Sequence, residues 1–428
     1  KRQKLNAMIQ SIGDKLAAHS HRTGLDYRFT VVDSPTVNAF ALPGGYIYIT
    51  RGMLAYLNSE AELAAVLGHE IGHVTARHSV RQHSAQTTAS VLGTVVSVAT
   101  GIGGVDDLTD MAGTAIVRGY GREHELEADR LGAQYMARSG YDPDAMLEVI
   151  GILKDQETFE NKSARDEGRK PNVYHGQFST HPRNDARLQE VVRAARAHKT
   201  GTSTRINREG FIRSLEGLPF GDSASQGIIR GNRMYHETLD FTIAFPSGWQ
   251  IDNREDLVVA TPDNGDGLMQ LQMVELEKRM PARDVMTKLM QLDNLKRGEK
   301  ISSHGMNGYT AIASEKTRSG TLPVRHIVLI REKTAWIFSG TAKDSRNPYK
   351  YDRQIIASAK TFRPLKDSDR KYARSNRLHI IRAGGDTRYR ELAGKTPIDR
   401  YAEEQLRLLN DQYPQGEPRK GQLIKTVR

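Results

Sequence analysis

Apolar residues recur along this chain in two rhythms, and the change between them divides it. Near the start, Leu5, Met8, Ile9, Ile12 and Leu16 share one face of a 3.6-residue period, so residues 1–20 are expected to form a helix. An extended run follows, from Tyr27 to Val32. Asn38 to Thr50 then reads as two short strands around a Pro43-Gly44-Gly45 turn. Ser59-x-x-Glu62 is a capping-box signature at the head of a long helical run carrying Leu63, Val66, Leu67, Ile71 and Val74. Another helix spans about 122–138, closed by Gly140 and Pro143, and a third begins near Asp142-Pro143. Residues 161–176 are charged and loop-like, while 185–198 are helical and basic. The stretch 199–232, rich in Gly, Ser, Thr and Arg, reads as a linker in which Phe211, Ile212 and Leu215 mark a packed part.

From about Tyr235 the rhythm shortens. Alternating or apolar runs appear at 241–245, 257–260, 269–274, 324–330 and 335–339, interrupted by helices near 282–296 and 347–360. That is the pattern of an α+β domain with an antiparallel sheet. A charged stretch, Lys366 to Arg374, precedes a small last unit. A chain of 428 residues exceeds one ordinary core. The expected division is 1–200, a linker segment over 201–234, then 235–365 and 376–428, an α+β multidomain protein. No fixed-period repeat is evident.

Composition narrows the chemistry. Hydrophobic residues make up 38%, enough for globular domains. The formal charge of +11 favours an acidic surface or polymer as neighbour, or simply a solvated basic surface; no basic arm or nucleic-acid signature accompanies it, so no nucleic-acid partner is expected. The absence of cysteine excludes disulfides, cysteine metal ligands and a cysteine nucleophile. The first residue is Lys1 rather than Met, so a processed chain with its signal peptide removed is expected. The most apolar run, Val91 to Val105, is too short and too rich in Gly, Ser and Thr to span a bilayer, and reads as a buried helix or a flap over a cleft. Peripheral membrane contact stays open.

His69-Glu70-Ile71-Gly72-His73 carries the most information. Residues four apart on a helix share a face, so both imidazoles can meet one ion. Catalytic zinc takes three protein ligands and leaves a position for water. Glu70, one residue after the first histidine, can reach that water as general base. A third ligand is expected from the helix holding Glu125-Leu-Glu-Ala-Asp129, where one carboxylate can bind metal and the other can accept a hydrogen bond from a ligand histidine. Glu123 and Glu127 are competitors two residues away, on roughly the opposite face. His78 and His83 fall off the ligand face and read as structural or exposed. Thr180-His181-Pro182 is a stiff loop, and His181 or Arg187 could steady a developing oxyanion.

In this order, HEIGHVTARH, REHELEADRLGA and STHPRNDAR resemble the gluzincin peptidases that include the CAAX prenyl endopeptidases and the HtpX-type proteases. NAFALPGGYIYITRGML is similar to the strand segment that lies beside the cleft in that family and can pair with an extended substrate. The resemblance covers about residues 1–200 and implies a mainly helical zincin-type domain with a small edge sheet. It implies one Zn2+ per chain, held by His69, His73 and Glu125, with Glu70 as base and Asp129 behind a ligand. It places His181 and Arg187 near the active site, and His181 as a residue that can also close the metal. The transmembrane helices of the family's integral-membrane members are not seen in this sequence, so the resemblance implies a chain closer to the soluble periplasmic branch. Residues 235–365 resemble PsbP-like α/β folds, and 376–428 resemble a LysM-like βααβ module, which implies peptidoglycan contact. The expected function is a zinc metalloendopeptidase acting on protein or peptide substrates in the bacterial periplasm or cell envelope. The alternative is a wall-associated binding or chaperone-like protein with a latent metal site.

Overall fold

In a computed structural model the chain divides into two compact units, Lys1–Gly221 with Asn376–Arg428, and Asp222–Ser375. The structure describes residues 2–79, 81, 121–168, 171, 185–198, 205–254, 257–317, 320–344 and 346–428. His83, the 91–105 segment and the Thr180-His181-Pro182 loop lie outside the described residues.

The first unit opens with helix α1 (Arg2–Ala17), whose Ile9, Ile12 and Leu16 are buried as the periodicity requires. Strands β1 (Arg28–Val32), β2 (Ala39–Leu42) and β3 (Tyr46–Thr50) form a sheet in the order β1-β3-β2, parallel between β1 and β3 and antiparallel between β2 and β3. Gly44 and Gly45, both at φ 96°, make the turn of the β2–β3 hairpin. Thr50 then caps a short helix, α2 (Arg51–Tyr56), by accepting from Met53 N–H at 3.1 Å.

Ser59 restarts the chain as α3 (Glu60–Thr75). Its hydroxyl accepts from Glu62 N–H at 3.0 Å, and the Glu62 carboxylate reaches back to Asn58 N–H at 2.6 Å. Every residue from Glu60 to Val74 is buried. A helix buried all round must find internal partners for its polar side chains, and α3 carries His69, Glu70 and His73. Helix α4 (Arg122–Arg138) packs across it. Helix α5 (Ala145–Asp166) continues past residue 161, where a loop was expected. Beyond residue 161 the helix still packs: Ser163 and Ala164 are buried and Lys162 Nζ lies 3.2 Å from Glu404 Oε1, while Phe159 just before them meets Tyr401 and Tyr413 edge-on, with centroids 5.7 and 6.1 Å apart. Helix α6 (Asp185–Arg196) follows.

The segment 376–428 has the order strand, helix, helix, strand (Asn376–Arg382, Tyr389–Ala393, Ala402–Leu409, Leu423–Val427), with the two strands antiparallel. Leu378, Tyr389, Leu406, Leu409, Ile424 and Val427 belong to the same core as the buried residues of α1 and α3. Lys425, fully buried, donates to Ala55 O at 2.7 Å and Leu57 O at 2.8 Å, just ahead of α3. The stretch read as a linker is divided between the units and contains a helix, Arg208–Ser214, with Phe211 and Ile212 buried.

The second unit is built on an antiparallel sheet ordered Lys296–Ser303, Met306–Thr317, Gly320–Arg331, Thr334–Ala342, Gly267–Glu275, Val258–Pro262, Trp249–Asn253. Alternate residues face two cores: Ile327, Leu329 and Phe338 lie with helix Asp352–Lys360, and Val328 and Ile337 lie with Val285 and Met286. The helix expected near 282–296 is shorter, because residues 296–303 pair instead with Met306–Thr317. His304 and Gly305, both at positive φ, make that hairpin turn.

Candidate metal centre

Helices α3 and α4 meet through their smallest residues. Gly68 and Gly72 on α3 face Gly132 and Ala128 on α4. A Cβ at Gly72 would stand 2.6 Å from Ala128 O, and one at Gly132 would stand 2.8 Å from Gly68 C and His69 N. Each α3 glycine directly precedes a histidine of the motif, and Ala128 lies one turn after Glu125. The close crossing therefore brings the carboxylate of one helix to the imidazoles of the other.

Ligand atoms of His69, His73 and Glu125 all lie within 4.8 Å of one another. His69 Nε2 and His73 Nε2 are 2.9 Å apart, and Glu125 Oε2 lies 3.3 and 3.4 Å from them. Each imidazole is held from behind. His69 Nδ1 is 2.8 Å from Asp129 Oδ1, and His73 Nδ1 is 2.8 Å from His78 Nδ1. His78 Nε2 continues to Glu127 Oε2 at 3.2 Å, and Arg81 Nη1 reaches the same oxygen at 2.8 Å. With both Nδ1 atoms engaged, the two Nε2 atoms converge with a carboxylate oxygen, and all three residues are buried. That donor set, two imidazoles and one carboxylate, fits a catalytic zinc ion.

The electrostatics follow from burial and these contacts. Burial pushes His73 down to about 4, leaving it neutral as a metal ligand must be. Burial also lowers His78. Burial works against charge on His69, but Asp129 and Glu125 outweigh it and raise this imidazole well above its usual value. Burial likewise opposes charge on Glu125, yet the two histidines hold its carboxyl well below the usual range. Glu70 is pushed up to about 8, by burial first, while His69 and the Ala41 backbone N–H act to lower it. Ala41 lies on β2, an edge strand of its sheet, so the base sits beside the strand that borders the pocket.

The residues expected from the sequence, His69, Glu70, His73, Glu125 and Asp129, thus come together. Arg187 lies on α6, and His181 lies outside the described residues. Of the two readings offered for His78, structural or exposed, the structure shows the structural one: it is buried and its Nδ1 meets His73, while Glu127, outside the triad, faces His78. Residues share a face by count only along a continuous helix. In fact α3 stops at Thr75, and Arg77, at φ 56°, turns His78 back toward His73. His124 stacks on His78, with ring centroids 4.4 Å apart. Nothing in the spacing of HVTARH announces this turn.

The comparisons with known proteins fall on the same part of the chain. The beta-barrel assembly-enhancing protease of Yersinia pestis is 32% identical over 212 residues, covering 46% of this chain and 41% of that protein. The protein of the same name from Escherichia coli (strain K12) is 34% identical over 196 residues, 44% of this chain and 38% of its own. The mitochondrial metalloendopeptidase OMA1 of Arabidopsis thaliana is 34% identical over 200 residues, 46% of this chain and 38% of its own. The chain thus spans less than half the length of each of these relatives. Among solved structures, cyanobacterial PsbP from Synechocystis aligns with 31% of this chain and 91% of its own, at 15% identity and a TM-score of 0.25. The model of peptidase family M48 matches residues 3–195. That match begins in α1 and ends in α6, so it takes in His69, Glu70, His73, Glu125 and Asp129, and over these residues the chain is similar to peptidase family M48.

Proposed function

We propose that this chain is a zinc-dependent endopeptidase of the bacterial periplasm or cell envelope, acting on misfolded or misassembled proteins. The observation that carries this reading is the placement of Glu70, buried on the same helix as two converging imidazoles and hydrogen-bonded to the edge strand. The envelope assignment rests on similarity to the beta-barrel assembly-enhancing proteases. His69, His73 and Glu125 would hold the zinc ion. Bound there, zinc supplies Lewis-acid polarisation of the scissile carbonyl and lowers the pKa of the attacking water.

The chain's own residues do the rest. An extended substrate lies along β2, an edge strand of its sheet among the described residues, which sets the scissile bond beside Glu70. Glu70 takes the proton of the attacking water and returns it to the departing amine. Asp129 keeps His69 oriented through its Nδ1–H. His181 and Arg187 are assigned to the oxyanion side, where replacing either by Ala is expected to lower kcat with little change in KM. The central test is casein degradation by zinc-loaded protein. Glu70→Gln is expected to abolish cleavage while keeping one zinc per chain; unchanged cleavage in that variant refutes the mechanism.

A further inference from the structure

The two histidines of the triad are held by unlike partners. His69 Nδ1 meets a carboxylate directly, Asp129 at 2.8 Å. His73 Nδ1 meets a second imidazole, His78, at 2.8 Å, and the carboxylate of Glu127 comes only beyond it, 3.2 Å from His78 Nε2. The proton positions follow from the chemistry. A histidine that gives Nε2 to a metal carries its proton on Nδ1, so His73 donates to His78 Nδ1, and His78 Nε2–H donates to Glu127. His78 is wholly buried, whereas the Glu127 and Arg81 side chains are 34% and 50% exposed. A line of hydrogen bonds thus runs from the ligand histidine to the protein surface.

We propose that His78 is a positioning residue for His73, fixing the ring with Nε2 turned to the metal, and that Glu127 and Arg81 hold His78 in turn. The assignment rests on His73 being a metal ligand. An imidazole suits this place better than a carboxylate. The pocket already holds Glu70, Glu125 and Asp129, and another negative charge buried against them would be costly. His78 passes the hydrogen bond outward while keeping the fourth carboxylate near the surface, where Arg81 offsets it. His124, stacked on the His78 ring with 20° between the planes, fixes its orientation.

The test is zinc affinity of the whole chain, read by competition with a chromophoric chelator, beside the thermal midpoint of the metal-free protein. His78→Phe keeps a ring for the stack but removes the acceptor. It is expected to weaken zinc binding by about 10–100-fold. His78→Asn restores an oxygen that can accept from His73 Nδ1–H, and is expected to recover most of that loss. Glu127→Ala, at the exposed end, leaves the core intact and is expected to weaken zinc several-fold. Wild-type affinity in His78→Phe or in Glu127→Ala overturns the proposal. So does a loss in His78→Phe that Asn fails to recover, because packing alone would then explain it. His73→Ala separates the two claims: if that variant binds zinc as tightly as wild type, the metal-site reading itself fails.

Discussion

Gly72 faces Ala128 where α3 and α4 cross, and replacing it with Ala perturbs the proposed zinc site without changing His69, His73 or Glu125. The new Cβ would lie 2.6 Å from Ala128 O and 2.9 Å from Ala128 Cα. Both are backbone atoms, so no side chain can rotate out of the way. Ordinary contact begins at 3.4 Å, and closing the gap from 2.6 Å requires the helices to part by about 0.8 Å. Glu125 rides on the displaced helix, one turn from Ala128, whereas His69 and His73 stay on the other. Metal–ligand distances tolerate only about ±0.2 Å, so the carboxylate leaves the shared site. Zinc affinity, measured by chelator competition, is expected to fall at least about tenfold, with a stability loss of about 1–3 kcal/mol from overpacking. Gly151→Ala is the control: it lies in α5 with nothing within 4 Å of its added Cβ. There the better helix propensity of Ala should stabilise the protein by up to about 1 kcal/mol. If Gly72→Ala behaves like that control, with wild-type zinc affinity and an undiminished thermal midpoint, the close-crossing argument is wrong.

Two further outcomes concern stability. Glu70 ionises near 4.5 in the unfolded chain but is held protonated up to about 8 in the metal-free fold, chiefly by burial. Between these values the unfolded chain sheds a proton that the folded chain keeps, so this carboxyl's contribution to stability declines as pH rises. Urea denaturation in chelator should therefore show Glu70→Gln gaining on wild type from pH 5 to pH 8; a constant difference contradicts this. Deleting 376–428 strips Leu378, Tyr389, Ile424 and Val427 from the core that also contains Leu63 and Ile71 of α3. It is expected to lower the thermal midpoint of the 1–221 unit or leave it insoluble, and an unchanged midpoint would show the segment to be dispensable to that core.

What the sequence determined by itself was local. The period of apolar residues predicted the helix at the start of the chain, Gly140 and Pro143 predicted the close of the one over 122–138, and Ser59 with Glu62 predicted where α3 begins. Four-residue spacing predicted that His69 and His73 share a face, and that Glu125 and Asp129 do too. Such regularities are legible because they follow from backbone geometry within a single element. Tertiary structure decided the rest. Periodicity reports which face of a helix is buried but not what covers it, so the close contact of Gly72 with Ala128 could not be read in advance. Nor could the end of α5, whose last turns bury Ser163 and Ala164 and pair Lys162 with Glu404, more than two hundred positions away. His78 is the clearest case. Counting along a continuous helix placed it away from the metal, whereas the turn at Arg77 and the partners supplied by α4 bring it against His73. A helix end followed by a reversal depends on what the reversed segment packs against, and only the fold supplies that.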